Sequence, residues 1–340
     1  MRKRTRYSLL LMLALIVALA VAIVLRKAAP PEVARLLPES DAIVYANLAP
    51  LRAATHFDRT PVQRSPEYQH FIDATGIVPE RDIDSVAFAL HRMDDPNGPN
   101  GSVGYSEVFE GRFDGERLAR YLATIATSQE TYAGHTIFTV PVGQGKDIRP
   151  LRVAQLGYDT IAASNMPTPE QIHSIVDRHR AAASPFSGSS LLSARYRDVP
   201  LLSGVWAIGH IGLPFSDRGY ISILGLQLPL PEDTTFVASL RYVGALHLRI
   251  EEFATSDEDA AHTARTLTAL LHLFKSLQQG QPSAPNAAAL QQVIGSVKIV
   301  QDKDRAVLTA TIPIALLKQL ANTSSQTSNP VTTPGQPQPQ

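Results

Sequence analysis

Between Arg6 and Arg26 lies a run of nineteen residues, Tyr7 to Leu25, without a charge, a glycine or a proline. Hydrocarbon offers no partner to backbone N–H and C=O groups, so a run of this kind is read as a helix that satisfies its own backbone. At 1.5 Å per residue, its length matches a hydrocarbon core of about 30 Å. A cleaved signal peptide is the rival, but its apolar region is about 7–15 residues long and ends at small residues. Ala18 and Ala20 imitate such a site only from inside the run, and the boundary falls at Arg26-Lys27. The run is therefore read as an uncleaved signal-anchor, and the rest of the chain must fold beyond it.

Orientation follows from the cations. Arg2, Lys3, Arg4 and Arg6 precede the run, and Arg26 and Lys27 follow it. The positive-inside rule then keeps residues 1–6 in the cytoplasm and exports the body. In a bacterial cell this predicts a single-pass protein of the inner (cytoplasmic) membrane with an extracytoplasmic, periplasmic body. The membrane is the one partner so expected, through residues 7–25. The formal net charge of zero conceals this asymmetry, since 31 Lys+Arg balance 31 Asp+Glu over the whole chain. Six of the cations lie in the head, leaving 25 basic against 31 acidic residues beyond Lys27, a body near −6. Nucleic-acid binding needs Lys and Arg to displace counterions from phosphates, so an acidic body without a basic stripe argues against it.

The chain has no cysteine, which excludes disulfides, thiolate nucleophiles and Cys-ligated metals. Stability in an exported body must come from packing.

The pattern after a 26–38 linker (with Ala28-Ala29-Pro30-Pro31 as a stiff spacer) predicts an α+β fold of antiparallel sheets. Asp41–Leu48 reads as a leading strand, followed by helical Pro66–Thr75. Ser85–His91 alternates, with Val86, Phe88 and Leu90 on one face. Its partner strand carries Val103, Tyr105, Phe109 and Phe113 in opposite phase to Ser106, Glu110 and Arg112. Asp114 is placed to cap a helix with the stripe Leu118, Tyr121, Leu122 and Ile125. A second strand group covers 135–140, 151–156 and 159–163, and a helix starts near Pro169.

After a Ser/Gly/Pro break at 183–190 the order returns, with a lone strand at Leu202–Gly209 and a hairpin, Thr235–Tyr242 and Leu246–Glu252, about Gly244. A helix then opens at Ser256 and Asp259, and a final hairpin, 296–300 and 306–312, leads to a closing helix through Leu320. Strand–strand–helix units thus recur, with helices expected on one face of the sheets. The units divide into two similar α+β lobes, 39–185 and 190–320. Residues 321–340 bear no charge and little apolar surface, and read as a disordered tail.

Chemistry-bearing motifs are sparse. The ten histidines make no HxxxH, HxH or HExxH, so the helical metal spacing is missing. His262 and His272 sit off their helix's apolar stripe, and His91 and His247 fall on the polar phase of their strands. There is no GxSxG elbow and no SxxK. Gly143-Gln144-Gly145-Lys146 lacks both the leading glycine and the Ser/Thr of a phosphate loop, and 94–101 does not fit the EF-hand pattern. Both read as turns. Neither a catalytic residue, a metal site nor a cofactor is expected.

Ile211–Pro231 (IGLPFSDRGYISILGLQLPLP) is apolar and rich in Gly and Pro, with only Asp217 and Arg218 charged. It reads either as a buried connection or as an apolar flap. As a flap, Leu213, Phe215, Tyr220, Leu224, Leu226 and Leu228 would meet lipid or an apolar ligand.

The order of the apolar run, LPESDAIVYANLAPLR, EYQHFIDATGIVPERDIDSVAFAL, FEGRFDGERLARYL and the Gly134-His135-Thr136-Ile137 strand resembles a group of uncharacterised bacterial proteins. These are N-terminally membrane-anchored, extracytoplasmic, and carry a domain of unknown function. The resemblance covers most of residues 36–275 and implies an exported α+β domain without assigning a catalytic residue. The expected function is a non-enzymatic binding or envelope interaction module. The alternatives are an exported hydrolase with a dispersed Ser/His/Asp-type site and an apolar-ligand carrier using the 211–231 segment.

Overall fold

The alternation in residues 83–111 becomes a hairpin at the heart of the molecule. The computed structural model describes Met12 and residues 29–59, 64–95, 101–143, 148–181, 188–210, 220–223, 226–229, 234–278 and 287–313. Apart from Met12, the expected anchor lies outside the described residues, as do the closing helix and the 321–340 tail. Among those residues, no helix is long and apolar enough to cross a membrane.

Fourteen strands are described: β1 Ala42–Asn47, β2 Ile83–Arg92, β3 Val103–Gly111, β4 Ser128–Tyr132, β5 His135–Val142, β6 Arg149–Gln155, β7 Thr160–Ser164, β8 Val205–His210, β9 Tyr220–Ile223, β10 Leu226–Pro229, β11 Thr235–Val243, β12 Ala245–Phe253, β13 Lys298–Asp302 and β14 Arg305–Ile312. Twelve of them form one antiparallel sheet in the order β13-β14-β12-β11-β8-β1-β2-β3-β7-β6-β5-β4. The strands assigned to both lobes therefore share a single sheet, joined where β1 pairs with β8. β9 and β10 form a separate two-stranded ribbon.

Register decides which side chains meet. Ile43 lies opposite Ala89 and Ile208, and Tyr45 opposite Ala87 and Trp206. Val108, Ala162, Ala154 and Ile137 continue the same face outward through β3, β7, β6 and β5. This face carries the main core, roofed by Val33, Ala34, Leu36 and Leu37, by Ile172, Ile175 and Val176 of the helix Glu170–Arg180, and by Leu191 and Leu192. Trp206 is 2% exposed, stacked on Tyr45 at 5.3 Å between ring centroids and met edge-on by Tyr196 at 5.4 Å.

On the opposite face, Leu118 and Leu122 of Gly115–Ile125 pack with Phe138, Val140, Val153 and Ile161. Asp114 caps that helix by accepting from the Arg117 N–H, as its position predicts. Helices Asp257–Gln278 and Ala287–Ser296 cover this same face beside β13 and β14. Ser256 Oγ accepts from the Asp259 N–H and donates to the Asp259 carboxylate, closing the start of the first of them.

Two expectations need correcting. Helices lie on both faces of the sheet, not one. On β2, moreover, the small-residue phase Ser85, Ala87, Ala89 and His91 is fully buried, while Phe88 and Leu90 are half-buried. Alanine lets the 32–37 segment approach the sheet closely, so the most buried face need not carry the largest side chains. Gly111 answers a similar close approach, because a Cβ there would collide with the Asp82 carbonyl oxygen.

Replacing Trp206 with alanine empties the centre of this core. The expected loss is about 3–5 kcal/mol, read as a lowered urea midpoint, with Trp206→Phe losing clearly less. Equal midpoints for the alanine variant and the parent would contradict the packing described.

Candidate functional site

β11 and β12 turn at Gly244, whose φ of 71° is the left-handed conformation glycine accepts without a Cβ clash. Their register sets Ser239 opposite Arg249 and Arg241 opposite His247. Period-two alternation puts these four, with Glu251, on the face that buries Trp206 and Ile208 further in. β14 adds Thr309 and Thr311 beside Arg249 and His247, and β13 adds Lys298 beside Thr309. In the first half of the sheet this face lies beneath helices. In the second half the described roof is the short helix Ser190–Arg195 and the 3-10 turn Tyr196–Asp198, which pack on Trp206 and Phe253 and reach Arg305 at the start of β14. Beyond that roof opens a cleft of about 350 Å³, lined by Pro200, Ser239, Arg241, His247, Arg249 and Glu251.

A network of ion pairs forms one wall. Arg195 and Arg305 lie 4.2 and 4.4 Å from the Phe253 ring centroid. Arg305 pairs with Glu251 at 3.1 Å and Asp198 at 3.3 Å, and Arg195 reaches Asp198 at 3.9 Å. Arg249 donates its Nε–H to Glu251 Oε1 at 2.6 Å. Glu251 is 5% exposed, so both of its oxygens are engaged in a desolvated place where a lone carboxylate would be costly. Arg241 is exposed, and its side chain has no hydrogen bond or ion pair among the described residues. The His247 Nδ1 lies 3.5 Å from the Thr311 hydroxyl. The cleft is rich in N–H donors, and its one carboxylate is already occupied.

A second polar cluster lies deeper on the same face. His91 Nε2 is 3.1 Å from Ser106 Oγ, which is 3.0 Å from Ser164 Oγ. Burial lowers the His91 pKa, and the nearby Asp41 charge partly opposes this. The chain thus brings His, Ser and Asp together, as a dispersed triad would need. However, Asp41 accepts from the Arg92 N–H, and Ser106 is 0% exposed. A nucleophile must reach its substrate, and Ser106 here is sealed between strands.

On the reverse face, Glu107 lies between Phe88 and Ala163 in the register of β2, β3 and β7. Burial pushes its carboxyl pKa up to about 7.

Another cleft, of about 360 Å³, is lined by residues including Gly134, His135, Gln155 and Gly157. There the His135 Nδ1 donates to the Gln155 carbonyl at 3.0 Å, and the ring stands edge-on to His179 at 5.9 Å. Burial and the neighbouring His135 lower the His179 pKa. No group of three or more His, Cys, Asp or Glu poised to hold a metal occurs among the described residues.

Of the flap residues, Leu213, Phe215 and Leu224 lie outside the described residues. Tyr220 falls on β9, and Leu226 and Leu228 on β10, where Leu226 pairs with Ile223 and Leu228 with Ile221. Neither Arg241 nor Arg249 is singled out by sequence reasoning. Both stand on a polar phase that resembles any solvated strand face, and what distinguishes them is the cleft left beside the described roof.

No family model matches the chain, and no curated protein matches it. Among solved structures it is similar to TP0453. Crystal form III matches with a TM-score of 0.44 and 11% identity over 88% of this chain and 99% of that one. Crystal form IV gives 0.44 and 10% over 88% and 97%. Likeness at this level carries no argument about function.

Glu107 makes stability depend on pH. Its folded pKa lies above the unfolded value, so the folded chain holds the proton more tightly. That contribution is complete below about pH 4.5 and is lost as pH rises through about 7, a change of up to about 3 kcal/mol. Urea midpoints measured from pH 5 to pH 8 should fall across this window in the parent and stay flatter in Glu107→Gln. An unchanged slope in the variant would assign the effect elsewhere.

Proposed function

We propose that the chain is a single-pass, membrane-anchored, extracytoplasmic binding module that acts through contacts rather than catalysis. The observation that carries this reading is the second half of the sheet face, where an ion-pair network around the buried Glu251 carboxylate forms the wall of a cleft that is open and donor-lined among the described residues. A rigid sheet presenting fixed polar groups suits recognition. The anchor at residues 7–25, with the N-terminus in the cytoplasm and the body on the periplasmic side of the inner membrane, rests on the uncharged run and its flanking cations. The suggested kinship with uncharacterised anchored bacterial proteins is part of the same proposal.

A duplicated, two-lobe origin is also part of it. Its support is that β1 and β8 lie side by side and that each is flanked on its far side by a hairpin, β2–β3 or β11–β12. The hydrolase reading has one observation in its favour, the His91–Ser106 pair. The sealing of Ser106 gives that pair a structural role.

Topology is tested by fusing alkaline phosphatase, which folds only outside the cytoplasm, after residue 313 of the full chain. Activity is expected from this fusion and not from one lacking residues 7–25. An inactive full-length fusion, with a cytoplasmic reporter active in its place, would overturn the placement.

A further inference from the structure

We propose that the cleft on the open face of β11 and β12 binds a small molecule through a phosphate group, with Arg241 and Arg249 as its principal contacts. The inference rests on the binding-module reading and names the chemistry the module would recognise.

Arg241 and Arg249 stand on neighbouring strands as diagonal neighbours of one face, since Arg241 pairs with His247 and Ser239 with Arg249. Diagonal side chains of this kind are about 7–8 Å apart at their roots, within reach of a common ligand for side chains as long as arginine. Guanidinium groups present planar forks of N–H donors that match phosphate oxygens in pairs. Arg249 is held in place through its Nε by Glu251, which leaves its two terminal nitrogens for a ligand. Glu251 does not repel an anion strongly, because Arg305 and Arg249 share its charge.

Charge counting agrees. Arg195, Arg241, Arg249 and Arg305 face Asp198, Glu251 and Asp304 in and beside the cleft, leaving one positive charge unbalanced. Among these seven groups, Arg241 is the cation whose side chain has no ion-pair partner among the described residues. The unbalanced charge is a local reversal of sign on a body near −6 overall, so the average composition does not explain it. His247, opposite Arg241, and Ser239, opposite Arg249, supply neutral polar groups beside the two forks. The volume of about 350 Å³ exceeds what a bare phosphate fills and lies in the range of small-molecule pockets. Pro200 offers an apolar wall for the remainder of the ligand.

The test is calorimetric titration of the full chain in nonionic detergent with inorganic phosphate, with sodium acetate as a monoanionic control. Saturable phosphate binding is expected, weakened about tenfold or more in Arg241→Gln, which removes charge-assisted hydrogen bonds. Arg241→Lys should recover part of the affinity, because it keeps the charge and loses the fork. The Arg241 side chain is exposed and has no partner among the described residues, so the melting temperature should not move, which separates lost binding from lost folding. Arg120→Gln, an exposed arginine far away in the first half of the fold, should bind like the parent.

Repeating the titration in micelles doped with phosphatidylglycerol separates the sources of phosphate. Weakened apparent affinity on doping assigns a lipid headgroup, and unchanged affinity assigns a soluble phosphate compound. Absence of saturable phosphate binding, binding that Arg241→Gln leaves unaltered, or acetate binding as tightly as phosphate would overturn the proposal. The topology reporter does not depend on the cleft, so a failed titration beside an exported fusion removes the ligand class and leaves the anchored module standing.

Discussion

Tyr45 and Trp206 meet across β1 and β8, two strands separated by some 160 residues of chain and paired in antiparallel register at the middle of the sheet. A slip of one residue in that pairing would turn Ile43 and Tyr45 out of the core and bring Val44 and Ala46 in. Every row across the sheet is phased by this junction. The Tyr45–Trp206 row runs outward through Ser239 and Arg249 to Thr309 and Lys298, and the next runs from Ile43 and Ile208 through Val237 to Glu251 and Val307. The aromatic pair and the cationic cleft are two ends of one row, so the junction that fixes the core also fixes which side chains stand in the cleft.

Local structure was legible where local physics decides it. Asp114 caps its helix, Gly244 turns its hairpin, and Ser256 with Asp259 closes the start of its helix. β4 was missed because Ser-Gln-Glu-Thr-Tyr has no apolar alternation, being an edge strand with little to bury. The union of both halves in one sheet was not legible either, since hydrophobic phase says which face is apolar but not which distant strand lies alongside. The burial of Ala87 and Ala89 beneath the 32–37 segment was hidden for a related reason. Small residues look neutral in a pattern until something packs on them.

The site was the least legible part. His247, Arg249 and Glu251 alternate with Leu246, Leu248 and Ile250 as on any half-exposed strand. What sets them apart is that Glu251 is buried among guanidinium groups while the Arg241 side chain has no partner among the described residues. That difference arises from Asp198 and Arg195, which arrive from a turn about 50 residues earlier, and from Arg305 on the neighbouring strand. Likewise, His91 read as a residue of the polar phase, yet it is buried beside Ser106 and Ser164 in the half of the face that the 32–37 segment and the helix Glu170–Arg180 cover. Among the described residues, the same phase is therefore covered in the first half and largely uncovered in the second, a difference of roofing rather than of strand composition.

An open sheet also has two ends. Among the described residues, β4 and β13 are its outermost strands, each with one side of its backbone unpaired in the sheet. Unpaired strand backbones are templates for copies of the same chain. A molecule tethered to a bilayer would meet its copies in two dimensions, at high effective concentration and with restricted orientations, which makes stacking end on end a particular hazard. Both margins carry charge, Glu130 on one and Lys298 and Asp302 on the other, and both strands are only five residues long. Short, charged margins keep such neighbours from annealing into a continuous ribbon, so the polarity that made β4 invisible as a strand also protects the edge of the sheet.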